Sequence, residues 1–244
     1  MNTHKLLVEG IGDQAFFRIL LKNMGYAHVD ICPPKSVGAK GDGIDNLLTI
    51  LPELLDSISS NAETKLGIVL DADYPREQEN NSHGYQARRE KVLKELVDRQ
   101  YVLDSMTGST QWQGEILQHT DGLSPVGIWI MPDHFSDGMI EDFWLSCIAD
   151  GVRKSLLDSH VDKSITELLE DEQFNAQEIL FSPIHQAKVR FETWLNWQKK
   201  PSTNDKKHEC YRRLTAACAF RDGWFDPNHP NIRALTHWLT RVFQ

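Results

Sequence analysis

Residues 65–73 read KLGIVLDAD, a continuous apolar run that ends in two aspartates one residue apart. An uninterrupted run of this kind is typical of a β-strand buried on both faces, as in a parallel sheet. Two further stretches have the same form, HKLLVEG at 4–10 and PVGIWIMPD at 125–133. The three stretches predict buried strands that each finish next to a carboxylate.

Helical spacing fills the intervals between these strands. Apolar residues recur at positions 16, 17, 20, 21 and 24, and a similar spacing runs through 86–99. A short strand is expected at 29–32, and a helix at 43–59 that Pro52 must begin, kink or divide. Alternating strands and helices predict an α/β fold, a Rossmann-like and mostly parallel central sheet flanked by helices.

The C-terminal part reads differently. From residue 151 onward the pattern is helical, with segments near 162–172, 185–199, 209–220 and 231–243. We therefore expect a sheet domain at 1–150 and a helical extension at 151–244 that packs on it.

The composition is that of a globular protein, with 40% hydrophobic and 25% charged residues among 244, which excludes a disordered or fibrous chain. No apolar stretch approaches the roughly 18–20 residues that span a bilayer. The four cysteines lie far apart, which suits small core residues in a reducing compartment. We therefore expect a cytoplasmic protein.

The net charge of −9 is unevenly distributed. Residues 186–244 hold eleven Lys/Arg against five Asp/Glu, so this part is basic and the remainder strongly acidic. A basic part beside an acidic one is compatible with phosphate contacts next to a metal site. A solvated basic face explains the same charges equally well.

Five acids follow the predicted strands: Glu9, Asp13, Asp71, Asp73 and Glu141. Ligands of open α/β sheets bind beyond the carboxyl ends of the strands. Clustered carboxylates repel one another, so they need either protons or a cation, and oxygen ligands suit Mg²⁺ or Mn²⁺. Asp71 and Asp73 would face the same side if the strand stays extended. Taken singly, Asp71 and Asp73 could equally cap a turn, and Asp13 could be a helix N-cap.

The order of these motifs is more specific than any one of them. Glu-Gly-x-x-Asp at 9–13, Asp-x-Asp at 71–73, Pro-Asp at 132–133 and Gly-x-x-Glu at 138–141 together resemble the TOPRIM domain of topoisomerases, primases and OLD-family nucleases. The resemblance is strongest to small stand-alone TOPRIM proteins of uncharacterised function. It covers about the first 150 residues, and a helical tail with a lysine and tryptophans extends it over the whole chain.

The resemblance implies a role for each matched residue. Glu9 would be a metal-linked acid/base, and Asp71 and Asp73 would be Mg²⁺ ligands. Asp13 and Glu141 would complete a second metal position. Lys188 matches, loosely, the lysine that OLD-type enzymes place at the transition state, although a helical lysine is usually a surface residue.

The implied function is a Mg²⁺-dependent nuclease, or a related phosphotransfer enzyme, that acts on DNA or RNA. Defence against foreign genetic elements is one expected role. Two ions would activate water and stabilise the leaving oxygen. The basic residues of the tail would hold phosphates away from the centre: Lys199, Lys200, Lys206, Lys207, Arg212 and Arg213.

Two other functions remain open. The first is a non-catalytic TOPRIM module that binds a nucleotide or a partner protein, for instance one that supplies the ATPase function of OLD nucleases. The second is a receiver-like or phosphatase-like domain in which Asp71 accepts a phosphoryl group. His83 and His134 offer a rival metal site, but both read better as ordinary loop histidines.

Overall fold

A computed structural model describes residues 4–59, 63–75, 83–103, 114–172, 185–198 and 215–244. The chain forms two compact units. The first comprises Met1–Ile140 together with Pro230–Gln244, and the second comprises Glu141–His229. The boundary predicted from the sequence, after residue 150, lies ten residues beyond the boundary of the structure, after Ile140. The prediction also assigned the last helix to the extension, whereas the structure groups that helix with the first unit.

The first unit contains a six-stranded sheet, which confirms the predicted α/β class. The sheet order is β2-β1-β3-β6-β5-β4. The strands β2, β1, β3 and β6 are mutually parallel, and β5 and β4 continue the sheet in antiparallel pairs. The strand bounds are β1 Lys5–Leu7, β2 Asp30–Cys32, β3 Leu66–Asp71, β4 Tyr101–Leu103, β5 Glu115–His119 and β6 Val126–Met131.

In the described part of the first unit, four helices and a 3-10 helix flank this sheet: α1 Ile11–Asn23, the 3-10 helix Pro34–Val37, α2 Ile44–Ser59, α3 Tyr85–Val97 and the last helix, α9, Pro230–Phe243. Pro52 lies inside α2, so it neither begins nor divides that helix. The loss of one backbone hydrogen bond is tolerated because Leu51, Leu54 and Leu55 on either side are buried in the core.

One face of the sheet packs against α2 and α3. Because side chains alternate along a strand, Ile68 and Leu70 of β3 point to this face together with Ile128 and Ile130 of β6. They join a continuous apolar core with the buried leucines of α2 and with Val92 and Leu96 of α3.

The last helix lies over two paired glycines on the opposite face. Gly67 of β3 and Gly127 of β6 are register partners. A Cβ on Gly127 would lie 2.3 Å from Val242 Cγ2, and one on Gly67 would lie 3.4 Å from the Trp238 ring. The absence of side chains at this pair therefore creates the space in which α9 packs.

The second unit is helical where it is described. Its elements are α4 Ile140–Ser146, which begins at the last residue of the first unit, α5 Val152–Leu156, a π-helical turn Leu157–Val161, α6 Asp162–Glu170, α7 Gln186–Trp197 and α8 Ala216–Arg221. The predicted segments near 162–172 and 185–199 are therefore helices. The first residues of the segment at 209–220 lie outside the described part of the chain.

Most tryptophans of the described residues are part of the core. Trp194 is fully buried, and its Nε1 donates to the Arg153 carbonyl at 2.9 Å. Trp224 is buried beneath the Arg153 guanidinium, whose carbon lies 3.8 Å from the ring centroid. Trp197 differs, because 49% of it is exposed.

Cys32, Cys147 and Cys218 are buried, as expected for small core residues, and Cys210 lies outside the described residues. Among the described helices, none combines the length and hydropathy that crossing a bilayer requires.

Candidate functional site

Glu9 and Asp71 lie where the strand order changes direction. From β1 the chain passes through α1 to β2 on one side, and β3 then pairs with the other side of β1. The crevice beyond the carboxyl ends of two such strands is the usual ligand site of an open α/β sheet. Glu9 follows β1 by two residues, and Asp71 is the last residue of β3.

Glu9 is held by its neighbours on two sides. Its Oε1 accepts a hydrogen bond from the Asp71 backbone N–H at 2.6 Å, so the side chain bridges the ends of β1 and β3. Its backbone carbonyl accepts the Gly43 N–H at 2.8 Å. The glycine-rich segment 38–43 is thereby tied to the acidic site through its last residue.

Asp13 lies in the first turn of α1. Gly10 is the N-cap, and Asp13 occupies the N3 position, where its Oδ2 accepts the Gly10 N–H at 2.9 Å. Asp13 was predicted, as an alternative, to be the N-cap of this helix. It lies three residues after the N-cap, and it caps the helix by accepting the hydrogen bond from Gly10. A carboxylate in this position also interacts favourably with the helix dipole.

Asp71 and Asp73 do not sit on one extended strand. β3 ends at Asp71, and Asp73 has a φ of 59° in the left-handed region. The argument that positions i and i+2 share a side therefore fails. Asp71 Oδ1 accepts the Ile140 N–H at 2.9 Å, whereas the Asp73 backbone exchanges two hydrogen bonds with Gly138.

Arg88 is the site residue that the sequence analysis missed. Its Nη2 lies 2.5 Å from Asp73 Oδ2, and only 3% of its side chain is exposed, against 28% for Asp73. The spacing in α3 could have indicated that Arg88 is buried, because Arg88 is three residues after the buried Tyr85 and four before the buried Val92. A cation within an apolar helical stripe indicates a buried counter-ion.

The pKa of Glu9 depends on burial and on the charged groups around it. Burial raises the pKa of Glu9 to about 8, opposed by the hydrogen bond from the Asp71 amide; the charges of Asp13 and Asp73 raise it further, and Arg88 lowers it. The charges of Asp13 and Asp73 therefore both act on Glu9. That the predicted acids form one metal site stays a prediction.

Glu141 and Lys188 both belong to the second unit. Glu141 is in the first turn of α4, and burial raises its pKa. The charge of Lys188 opposes that rise, while Asp142 and Glu192 add to it. The two predicted residues therefore interact electrostatically, and Lys188 itself is exposed on α7.

Several predicted residues lie outside the described part of the chain. These are the basic residues assigned to nucleic acid: Lys199, Lys200, Lys206, Lys207, Arg212 and Arg213. Their role stays a prediction.

His134, one half of the rival metal site, is a core residue. Its Nδ1 accepts the Ile130 N–H at 3.0 Å, and the ring contacts Tyr85 and Trp129 at centroid distances of 5.6 Å each. Burial, with a smaller contribution from Arg89, lowers the pKa of His134 to about 3. His134 therefore lies in a loop, as predicted, but the prediction did not foresee that it is buried in the core.

The donors at the acidic site fit Mg²⁺ in their chemistry, since all are carboxylate oxygens. Within the described residues, no three His, Cys, Asp or Glu side chains are arranged as a metal cage. Mg²⁺ does not require one, because it usually keeps several waters and binds one or two carboxylates together with substrate phosphates. Glu9 and Asp71 lie at the ends of two adjacent strands and are joined by the hydrogen bond from the Asp71 N–H to Glu9 Oε1.

The family model "Protein of unknown function (DUF3226)" matches residues 3–244, so the chain belongs to that family. No curated protein matches the chain. A solved structure described as hypothetical protein PH0156 from Pyrococcus horikoshii OT3 is similar at 14% identity and a TM-score of 0.45, over 99% of this chain and 95% of that one. The TOPRIM resemblance and the roles it implies stay predictions.

Proposed function

We propose that this member of the DUF3226 family is a Mg²⁺- or Mn²⁺-dependent enzyme that cleaves phosphodiester bonds in DNA or RNA, a nuclease of TOPRIM type. One observation carries the proposal. At the change in strand order, the Glu9 carboxylate is hydrogen-bonded to the end of β3 at Asp71, with Asp13 and Asp73 within electrostatic reach. Carboxylates gathered at the ligand-binding edge of a sheet are suited to hold a hard divalent cation.

In this proposal Glu9 and Asp71 hold the ion, and Asp13 and Asp73 surround them. When bound, the ion would lower the pKa of a water molecule and offset the charge of the phosphate that the water attacks. The protein fixes the donors beforehand, since the Asp71 amide orients Glu9 and the Ile140 amide orients Asp71. Without a cation, the acids would repel a nucleic-acid backbone.

The substrate contacts are proposed from charge. A chain with a net charge of −9 needs local positive charge to approach nucleic acid. Lys188 and the basic residues between 199 and 213 supply it, and their contacts would be to phosphates, which position a substrate without reading its sequence.

The test is cleavage of single- and double-stranded DNA and RNA by the parent and by Glu9→Gln and Asp71→Asn. We expect cleavage with Mg²⁺ or Mn²⁺, none with EDTA, and a rate roughly a hundredfold or more lower in both variants, because each removes a ligand charge. Glu53→Gln is the matched control, since Glu53 is exposed on α2. Cleavage that survives EDTA, or that both site variants retain, would overturn the proposal.

A second function, binding without catalysis, is favoured by the Arg88–Asp73 ion pair. A buried guanidinium already neutralises one carboxylate of the cluster, as a purely binding site would allow. A parent protein that binds Mn²⁺ but cleaves none of the four substrates would select this second function, with a nucleotide or a partner protein as the ligand.

A further inference from the structure

The positive charge that faces Asp73 belongs to a side chain of the protein, Arg88. Arg88 Nη2 contacts Asp73 Oδ2 at 2.5 Å, and the arginine side chain is 3% exposed. Its charge also acts on Glu9. Arg88 therefore lies among the carboxylates, on the side away from solvent, because the Asp73 side chain is the more exposed of the two.

Arg88 cannot withdraw from this position at low cost. It lies on the buried stripe of α3 between Tyr85 and Val92, and its guanidinium stays protonated at any accessible pH. Its Nη2 contacts the Asp73 carboxylate, while its Nε has no hydrogen-bond partner among the described residues. Losing that carboxylate would leave a buried charge unpaired.

Asp73 is held just as firmly. Its backbone donates to the Gly138 carbonyl at 2.8 Å and accepts the Gly138 N–H at 3.1 Å. A divalent ion on Oδ2 would replace the arginine hydrogen bond and would lie a few ångströms from the guanidinium. Two positive charges at that separation repel strongly where water is excluded.

We propose that Arg88 takes the place of a second metal ion, so that the acidic site binds one divalent cation, at Glu9 and Asp71. The guanidinium then supplies a fixed positive charge at Asp73 that needs no loading from solution. The inference rests on the proposed function and changes its predicted stoichiometry from two ions to one.

The experiment counts bound Mn²⁺ per full-length chain, by calorimetry and by the loss of the free Mn²⁺ signal in electron paramagnetic resonance. We expect one ion in the parent, one in Arg88→Lys, and two in Arg88→Gln, because the neutral side chain frees Asp73 for a second ion. Lys94→Gln is the matched control, since it removes one exposed positive charge from the same helix, and should bind one.

Two ions in the parent would overturn the inference and leave the proposed function intact. One ion in both the parent and a folded Arg88→Gln would also overturn it. No ion in the parent would overturn the inference and the proposed function together. Should Arg88→Gln not fold, as judged by thermal melting in EDTA, Asp73→Asn replaces it. That variant should keep one ion, and loss of the ion would place the metal at Asp73 and overturn the inference.

Discussion

The carboxyl ends of β1 and β3 and the glycine pair beneath α9 belong to the same unit and are built on different principles. At the strand ends, Asp71 binds a backbone amide and Asp73 binds a buried guanidinium. Beneath α9, Gly67 and Gly127 leave room for Trp238 and Val242. Charge pairing decides the first region, and shape decides the second.

The difference shows which changes each region tolerates. A charged group that loses its partner in a buried place cannot relax, because no solvent replaces the lost interaction. A crowded apolar contact can relax in part through small shifts of neighbouring side chains. We therefore expect the largest losses of stability at the strand ends and intermediate ones beneath α9.

The strongest test of the charged region is Asp73→Ala. We expect the free energy of unfolding to fall by about 3 kcal/mol, because Arg88 stays charged and buried without its carboxylate. Urea unfolding in EDTA measures this without any contribution from metal binding. Asp73→Asn separates the loss of charge from the strain of the backbone, because asparagine lacks the charge but tolerates the left-handed φ of 59°. An Asp73→Ala protein as stable as the parent would show that Arg88 finds another partner.

The shape of the second region is tested by Gly127→Ala. The new Cβ would lie 2.3 Å from Val242 Cγ2, and we expect a loss of about 2 kcal/mol from overpacking. Gly12→Ala is the control, because no atom lies within 4 Å of its added Cβ. Val242→Ala should cost less in the Gly127→Ala protein than in the parent. Equal costs in the two backgrounds would mean that these two side chains do not clash.

A third, smaller effect is expected at His134, which follows β6 and whose ring contacts Trp129, itself in contact with Trp238 beneath α9. Its folded-state pKa of about 3 lies below the ordinary 6.5. The unfolded chain therefore binds the extra proton between these values, and stability is lost as pH falls below 6.5. At pH 5.5 we expect His134 to lower the free energy of unfolding by about 1.4 kcal/mol relative to its value above pH 7.

Thermal or urea unfolding between pH 5 and 7.5 measures this slope. Besides the packed rings, the charged group facing His134 is Arg89 of α3, which also disfavours the imidazolium. His134→Asn should flatten the slope by about one proton, while His237→Asn, at an exposed site on α9, should leave it unchanged. An unchanged slope in His134→Asn would assign the pH dependence to other groups.

The sequence predicted the central strands and most helices because their signals are local. An apolar run such as 66–70 can only be buried, and the helical stripes repeat over several turns. Strands β4 and β5 were missed. β4 has three residues, of which Val102 and Leu103 are exposed, so its pattern is too short and too solvent-exposed to distinguish it from a loop. Antiparallel pairing with β5 makes it a strand.

The sequence analysis named the acidic residues of the candidate site but missed the positively charged Arg88. Glu9, Asp13, Asp71, Asp73 and Glu141 were expected together because strand ends of a parallel sheet meet at one edge. The structure shows Asp13 and Asp73 acting on the pKa of Glu9. Arg88 lies fifteen residues after Asp73 on a helix, where its pairing depends on how α3 packs. The left-handed turn at Asp73 also depends on Gly138, which is distant in sequence.

The sequence by itself determined the α/β class, the burial of the apolar runs and the acidic residue at the end of each central strand. Hydrophobic burial and periodicity are patterns of neighbouring residues, so they can be read from the sequence. Only the tertiary structure decided that β1 and β3 are adjacent, that α9 joins the first unit over Gly67 and Gly127, and that Arg88 neutralises Asp73. Each of these depends on contacts between residues far apart in the chain, whose partners are chosen by shape and charge once the core has formed.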